Sequence, residues 1–504
     1  MRISLSGSDW LFKDFDLCDR LGIMVWQEFI LSRSGIDNSP STDPDYIALL
    51  VHEAEQIIPR RRNHPALVLW CGGNELQGRS GMASAPDVER GPEQPLDDRH
   101  PALAALKATV ERLDPDRLWL PTSPSGRAFG NSLENIERDP LGQHDVHGPW
   151  EYQGVDKHYA LYNAGTSLFH SEFGVEEITN LKSLNAVISP EHQWPVDLAQ
   201  NPYWFHLGAW WVRRAMWDQT FGPLSDVASY VRATQFLQAE GLRYAVEADR
   251  RRRWRNSGVI PWQFNEPYPM AACTSAVDYW AEPKPAYYAI ARAYEPVTVT
   301  AAFPTIAWGG REMFEAEVWM NATEAPGALH AAGVLHARLI GASGRVYSGQ
   351  MLTIAPGADG VARVLKVKCP ISDLAEDIFF LDLRLADEAG NDLACNRYAF
   401  TRTDNLAVLM APQPPTTLAV APMQDETGII TIANTGPYTA FFVWLEDARP
   451  RRWGNDQSGH VFFDDSYFCL FPGEARRVRI VWEGVGSAER RVAAGAWNAE
   501  PIVI

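Results

Sequence analysis

Cysteine is scarce in this chain: six in 504 residues, at Cys18, Cys71, Cys273, Cys369, Cys395 and Cys469, with no C-x-x-C pair and no metal-ligand spacing. That scatter excludes a disulfide scaffold and a zinc–thiolate site, and reads as reduced, mostly buried thiols of a cytosolic protein. Long apolar runs are missing too. Nothing approaches the ~20 residues of a membrane span, and Met1 to Asp9 lacks the apolar core of a signal peptide, so the chain as written is expected in the cytoplasm. No H-x-x-x-H or H-E-x-x-H spacing occurs, so neither a metal nor any other cofactor is expected. Positive charge is in deficit: 45 Lys and Arg against 63 Asp and Glu give −18. Such a surface repels phosphate backbones and anionic bilayers, which excludes nucleic acid and membrane as partners. The one basic run, Arg250 to Arg253 with Arg255, has Glu247 and Asp249 beside it and reads as a solvated helix end. No segment is biased enough for disorder, and no internal repeat is present. The sequon Asn321-Ala-Thr has no meaning in a cytosolic setting.

What is present is a globular composition, 46% hydrophobic and 21% charged, over a length that calls for two to four domains. Aromatic residues are abundant, with 19 Trp, 16 Tyr and 21 Phe. A flat indole packs against the C–H face of a sugar ring and is also a large core residue, so the count alone only leans toward carbohydrate.

Up to about residue 295, short apolar runs alternate with helical stretches in the manner of βαβ units. Strand-like runs are Gly22–Glu28, Leu67–Trp70, Arg117–Pro121, His144–His147, Ser167–His170 and Gly258–Gln263. Between them the Tyr46–Arg62 stretch carries Ile47, Leu50, Val51, Ala54, Ile57 and Ile58 on one helical face, and Val227–Glu247 reads as a second helix. Polar residues gather at the C-terminal ends of the strands: Gln27-Glu28, Asn74-Glu75, Ser123, His144 to His147, Ser171-Glu172 and Gln263 to Glu266. Catalysis in a (β/α)8 barrel is built at that end, so the pattern favours a barrel over an open sheet. After Pro296 the periodicity turns to alternation, as in Met313–Trp319, Ala362–Lys368 and Ile378–Arg384, which reads as a β-sandwich. A Pro-rich break at Ala411–Pro415 precedes a second all-β stretch with strands at Thr427–Ile432, Ala440–Trp444 and Arg476–Val481. The expected domains are 1–295, 296–405 and 406–504.

Glycoside hydrolysis needs two carboxyl groups flanking the scissile bond, about 5–5.5 Å apart in retaining enzymes. Glu75 and Glu172 each follow a strand and would project into a barrel mouth. Singly, each could be a surface loop residue. Together, with Asn74 before one and Ser171 before the other, they read as acid/base and nucleophile. A neighbouring carboxylate would keep the acid protonated, and loss of the nucleophile's charge in a glycosyl-enzyme would free it to act as base.

The segment Asn63-His-Pro-Ala-Leu-Val-Leu-Trp-Cys-Gly-Gly-Asn-Glu75 resembles the acid/base strand of glycoside hydrolase family 2, and of its β-mannosidases in particular. Asp16-Leu-Cys-Asp-Arg-Leu-Gly-Ile-Met-Val-Trp-Gln-Glu28 is similar to that family's third barrel strand with its preceding helix, and His170-Ser-Glu-Phe-Gly174 to its nucleophile strand. Trp262-Gln-Phe-Asn-Glu-Pro267, followed by Asp278 to Tyr288, resembles the eighth strand and exit helix. Asp464-Asp-Ser-Tyr-Phe468 with Phe471-Pro-Gly-Glu474 resembles the final β-domain. The resemblance implies an incomplete (β/α)8 TIM barrel followed by two immunoglobulin-like sandwiches, and a retaining β-glycosidase, β-mannosidase first. An exo-β-glucosaminidase, an endo-β-mannosidase or a catalytically incomplete carbohydrate-binding subunit are the alternatives. It also implies that Glu75 is the acid/base, that Glu172 is the nucleophile, and that Asn74 binds the sugar 2-hydroxyl. Trp262 would floor the sugar subsite, and Asp145, His147 and Trp150 would meet substrate from the loop after strand six. Trp262 could instead be barrel-mouth core, and His147 a structural histidine bonded to a loop carbonyl. Glu28 and Glu266 could touch substrate or pair with a nearby arginine.

Complete family members carry N-terminal β-domains and two earlier barrel strands. This chain reads from the helix before strand three, so Gly22–Glu28 and Gly258–Gln263 are expected to expose unpaired edges. A polypeptide carrying the N-terminal half, or self-association through those edges, is the expected partner besides carbohydrate.

Overall fold

The computed structural model describes residues 2–3, 11–32, 39–77, 95–205, 208, 210–322, 333–355, 360–421, 428–449 and 459–504. Met1, residues 4–9, Thr323 of the sequon and Thr427 of the expected strand lie outside these residues. Two compact units form. One comprises Met1–Pro149, Ala164–Phe173 and Arg253–Pro261; the other comprises Trp150–Asn163, Gly174–Arg252 and Trp262–Ile504. No helix among the described residues is long and apolar enough to cross a membrane. All six cysteines are free thiols, four of them buried.

The first unit is parallel β/α. Its strands are β1 (Arg2–Ile3), β2 (Val25–Leu31), β3 (Leu67–Gly73), β4 (Leu118–Leu120), β5 (Asp145–His147) and β6 (Phe169–Glu172). Its helices are α1 (Leu11–Leu21), α2 (Pro44–Arg61), α3 (Pro101–Leu113) and α4 (Leu133–Arg138). β1 to β4 pair in parallel in chain order. The succession continues through parallel bridges Asn74–Ser123 and Gly130–His147, the β5–β6 pair, and a final bridge from His170 to Val259. Helix α2 shows why these segments fold as they do. Asp43 caps it by accepting the Asp45 and Tyr46 N–H groups at 2.8 and 3.2 Å, and Pro44 fills the first turn. Leu50, Ala54 and Ile58 then recur on one face and bury against Val25, Phe29, Leu67 and Trp70 of the strands and Leu103, Leu106 and Val110 of α3.

Two expectations are corrected here. The Gly22–Glu28 edge has a partner: β1 pairs with β2, Arg2 opposite Trp26 and Ile3 opposite Gln27. Two residues are too few to carry a readable period, so the sequence hid it. Gly258–Gln263 forms no regular strand; it contributes Val259 to a bridge, with the His170 N–H on Gly258 O at 2.9 Å and the Ile260 N–H on His170 O at 2.8 Å.

The second unit holds α5 (Lys157–Ala164), a short antiparallel pair β7 (Glu177–Ile178) and β8 (Ala272–Cys273), α6 (Leu181–Val187), α7 (Arg214–Phe221), the 25-residue α8 (Val227–Arg251) and α9 (Pro285–Ala293). The end of α8 is less solvated than its basic run suggested: Arg250 donates to Glu295 O at 2.9 Å and Arg251 to Ala301 O at 3.2 Å.

Two sandwiches follow. The first uses β9 (Thr298–Ala302), β10 (Met313–Asn321), β11 (Gly333–Gly341), β12 (Val346–Ile354), β13 (Val361–Pro370), β14 (Ile378–Asp387) and β15 (Asp392–Thr401), in sheets ordered β13-β10-β9 and β12-β11-β14-β15. After α10 (Ala407–Met410) the second uses β16 (Leu418–Ala421), β17 (Ile429–Asn434), β18 (Ala440–Asp447), β19 (His460–Phe463), β20 (Phe468–Leu470), β21 (Ala475–Glu483), β22 (Val492–Ala496) and β23 (Ala499–Val503). Its sheets run β16-β17-β21-β19 and β20-β18-β22-β23. Period-two alternation supplies both cores: Phe314, Ala316, Val318 and Met320 point inward from β10, and Ile430, Ile432, Val443, Leu445, Val478 and Ile480 fill the second sandwich.

Candidate active site

Glu75 lies two residues beyond β3, on a strand end that glycine allows to approach its neighbours. A Cβ on Gly72 would sit 2.2 Å from the Pro121 carbonyl oxygen, and one on Gly73 2.5 Å from that of Leu31. Glu75 itself adopts a left-handed backbone, φ 55°. A non-glycine residue holds that conformation only where its surroundings over-determine it. Here the Asn74 N–H donates to Leu31 O at 2.9 Å, the Glu75 N–H to Ser123 O at 2.7 Å, and the Leu76 N–H to Thr122 Oγ1 at 3.0 Å. Glu172 is the last residue of β6, in register with His147 of β5, and its carbonyl accepts the Gly148 N–H at 2.7 Å.

His147 joins the two carboxylates. Its Nδ1 lies 3.0 Å from Glu75 Oε1 and 3.8 Å from Glu172 Oε2. One oxygen of each carboxylate and an imidazole nitrogen all fall within 4.8 Å of one another. Glu75 and Glu172 are 8% and 7% exposed, and His147 is fully buried. On the far side of the ring, Nε2 is 3.0 Å from Ser123 Oγ, which lies 2.8 Å from Asp145 Oδ2 and 3.0 Å from Ser171 Oγ.

Hydrogen-bond capacity orders this network. An ionised Asp145 only accepts, so the Ser123 hydroxyl proton goes to it, and the Ser123 oxygen accepts from Ser171 Oγ and from His147 Nε2–H. In the neutral imidazole the Nδ1 lone pair then faces Glu75, and the proton in that 3.0 Å contact belongs to the carboxyl group. In the imidazolium, Nδ1–H donates to the Glu75 carboxylate instead. Either arrangement keeps one mobile proton at Glu75.

The sequence-derived residues therefore divide. Asn74, Glu75, Asp145, His147 and Glu172 lie in the first unit; Asp145 and His147 sit on β5 itself rather than in the loop beyond it. The buried Asp145 carboxylate reaches Ser123, and His147 lies in hydrogen-bond reach of Ser123 and Glu75. Trp150 and Trp262 belong to the second unit. There Trp262 lies beside Trp211, ring centroids 5.7 Å apart, with its carbonyl against Gly174. Ser123 is the residue whose part sequence reasoning missed; its one signal was a polar side chain ending a strand. Glu266 pairs with Lys284 at 2.7 Å rather than with an arginine.

Two groups among the described residues have the donors and proximity to hold a cation: Glu75, His147 and Glu172, and the more exposed Asp16, Asp19 and His64.

Comparison with known proteins bears on this geometry. Residues 12–118 match the family model for glycosyl hydrolases family 2, TIM barrel domain, and residues 413–493 match the mannosidase Ig-fold domain. Over these two segments the chain is similar to members of glycoside hydrolase family 2. Within that family the similarity is to the β-mannosidase-like branch. It is 30% identical over 300 residues to β-mannosidase B of Aspergillus niger and 29% identical over 299 residues to that of Aspergillus oryzae, in each case across 56% of this chain and 34% of the relative. The chain thus spans about a third of the length of these curated relatives. In fold it is similar to a β-D-mannosidase from Dictyoglomus thermophilum, with TM-score 0.72, 21% identity, and coverage of 99% of this chain and 56% of that one. It is also similar to an exo-chitosanase of Amycolatopsis orientalis, with TM-score 0.70, 17% identity, and coverage of 100% and 59%.

Proposed function

We propose that this chain carries the catalytic centre of a retaining exo-β-glycosidase acting on terminal β-mannosides. The observation that carries the reading is the pair of nearly buried carboxylates, Glu75 and Glu172, whose oxygens lie within 4.8 Å of each other beside His147. A separation this short suits double displacement and leaves no room for the interposed water of an inverting mechanism. Protonated Glu75 donates to the glycosidic oxygen as a Glu172 oxygen attacks the anomeric carbon; the carbon–oxygen bond to the leaving group breaks and a glycosyl ester forms. Glu75, now a carboxylate, takes a proton from water, whose oxygen displaces Glu172 and releases the sugar with retained configuration. Similarity to two β-mannosidases B supports mannose as the sugar.

The test is a panel of aryl β-glycosides (mannoside, glucosaminide, glucoside, galactoside and glucuronide) incubated with the purified chain, Glu75→Gln and Glu172→Gln. Mannoside turnover that vanishes in both variants is the expected result. Preferred turnover of the glucosaminide would reassign the sugar. Binding without turnover by a folded wild-type chain would make it a carbohydrate-binding subunit.

A further inference from the structure

A cavity of about 920 Å³ lies wholly within the second unit, lined by one face of α8, by α6 and α9, and by both sandwiches. It shares no residue with the Glu75–Glu172 cluster. Nine cationic and six acidic side chains line it, in a chain whose formal charge is −18. Part of that surplus is only partly neutralised. Arg292 and Arg476 share the single carboxylate of Asp465, each at 2.5 Å. Among the described residues, exposed Arg232 donates to Ser229 Oγ at 3.1 Å with Asp226 nearby, and Arg477 forms no ion pair.

The cavity also has flat apolar walls. Trp444 of β18 lies opposite Gly495 of β22, and a Cβ there would come within 2.5 Å of the indole, so the ring rests on bare backbone with its other face uncovered by that strand. Phe236 of α8, one turn beyond Arg232, meets Phe442 at 5.4 Å, and Phe442 meets Trp497 at 4.2 Å. Phe442 and Tyr467, both in the lining, hold left-handed backbones, φ 47° and 55°. Only three other non-glycine residues among those described do so, and Glu75 is one of them. Strained residues of this kind cluster where a surface has been shaped for a ligand.

We propose that this cavity is a second carbohydrate site, one that takes an acidic oligosaccharide: pyranose faces stack on Trp444 and the Phe442–Trp497 pair, and uronate carboxylates meet Arg232, Arg477 and the Arg292–Arg476 pair. Cation surplus selects the anion, and the aromatic faces select a sugar over a simple salt. The site is independent of the reaction proposed for Glu75 and Glu172.

The test is calorimetric titration of the full chain with tetragalacturonate and with neutral mannotetraose, at low and high salt. Tetragalacturonate should bind at least about tenfold more tightly and weaken as salt rises, because the pairing charges are partly solvated. Trp444→Ala and the double variant Arg232→Ser, Arg477→Ser should each lower its affinity by about tenfold, the loss common for truncated Trp and Arg contacts. Both arginines are exposed, so the double variant tests the site even if Trp444→Ala unfolds. Turnover of an aryl β-glycoside should be unchanged in both variants, which separates this site from the catalytic one. Equal binding of the two oligosaccharides, no heat with tetragalacturonate, or unaltered affinity in the double variant would overturn the proposal.

Discussion

Two buried carboxylate groups in this chain look alike in sequence and differ in chemistry. Glu75 and Glu172 face each other across a histidine, each slightly open to solvent. Glu177 and Glu266 close on Lys284, at 2.5 and 2.7 Å, with Ser275 as a further partner of the ammonium at 2.8 Å, and lysine and Glu177 are wholly buried. A buried ammonium with both carboxyl groups on it makes a closed cluster. An imidazole that can give or take a proton leaves the first pair able to exchange one with a substrate. A carboxylate after a strand is thus a catalytic candidate only until its counter-charge is known.

Four substitutions sharpen or break that contrast. The largest effect should come from Glu172→Gln, which should lower kcat/KM on an aryl β-mannoside by on the order of 10⁴-fold or more while leaving the denaturation midpoint nearly unchanged. If stability collapsed with activity, the first pair would be structural like the second. Lys284→Met should do the reverse: it leaves two buried carboxyl groups without their ammonium partner and should destabilise the fold by about 3–5 kcal/mol in denaturant titration. His147→Gln should lower kcat by about 10²-fold and reshape the pH–rate profile, because the partner that shares the Glu75 proton is lost. A fall in activity with an unaltered profile would reduce His147 to packing.

The remaining effect is a pH slope. Burial, aided by Glu266 and Asp278 and opposed by Lys284, pushes the Glu177 carboxyl up to about 8 from its ordinary 4.5. Between those values the folded chain keeps a proton that the unfolded chain has lost. This group's contribution to stability is therefore full below about 4.5, shrinks as pH rises, and is gone above about 8. Glu177→Gln should flatten the stability profile across that window; an unchanged slope would mean that another group carries it.

Legibility followed the range of the interactions. The alternation of apolar runs and helical stripes, and the polar residues ending those runs, made the parallel unit, both sandwiches and the Glu75–Glu172 pair readable from local pattern. The β1 pairing was not readable, because Arg2 and Ile3 show no period and their partners Trp26 and Gln27 are more than twenty residues away. The lysine beside Glu266 stands eighteen residues on in the chain, and Glu177 reaches the same lysine across 107 residues. No spacing rule joins such partners. Ser123 was visible as a strand end, but its bonds to Asp145, His147 and Ser171 exist only once three strands lie side by side.

The measurement closest to the central claim is covalent trapping. The chain would be incubated with a 2-deoxy-2-fluoro-β-mannosyl fluoride, whose fluorine at carbon 2 slows breakdown of the glycosyl ester, and then digested for peptide mass analysis. The account predicts one added fluorosugar on the peptide carrying Glu172, absent in Glu172→Gln. A label on another carboxylate, or turnover of the aryl mannoside with no trapped ester, would contradict it.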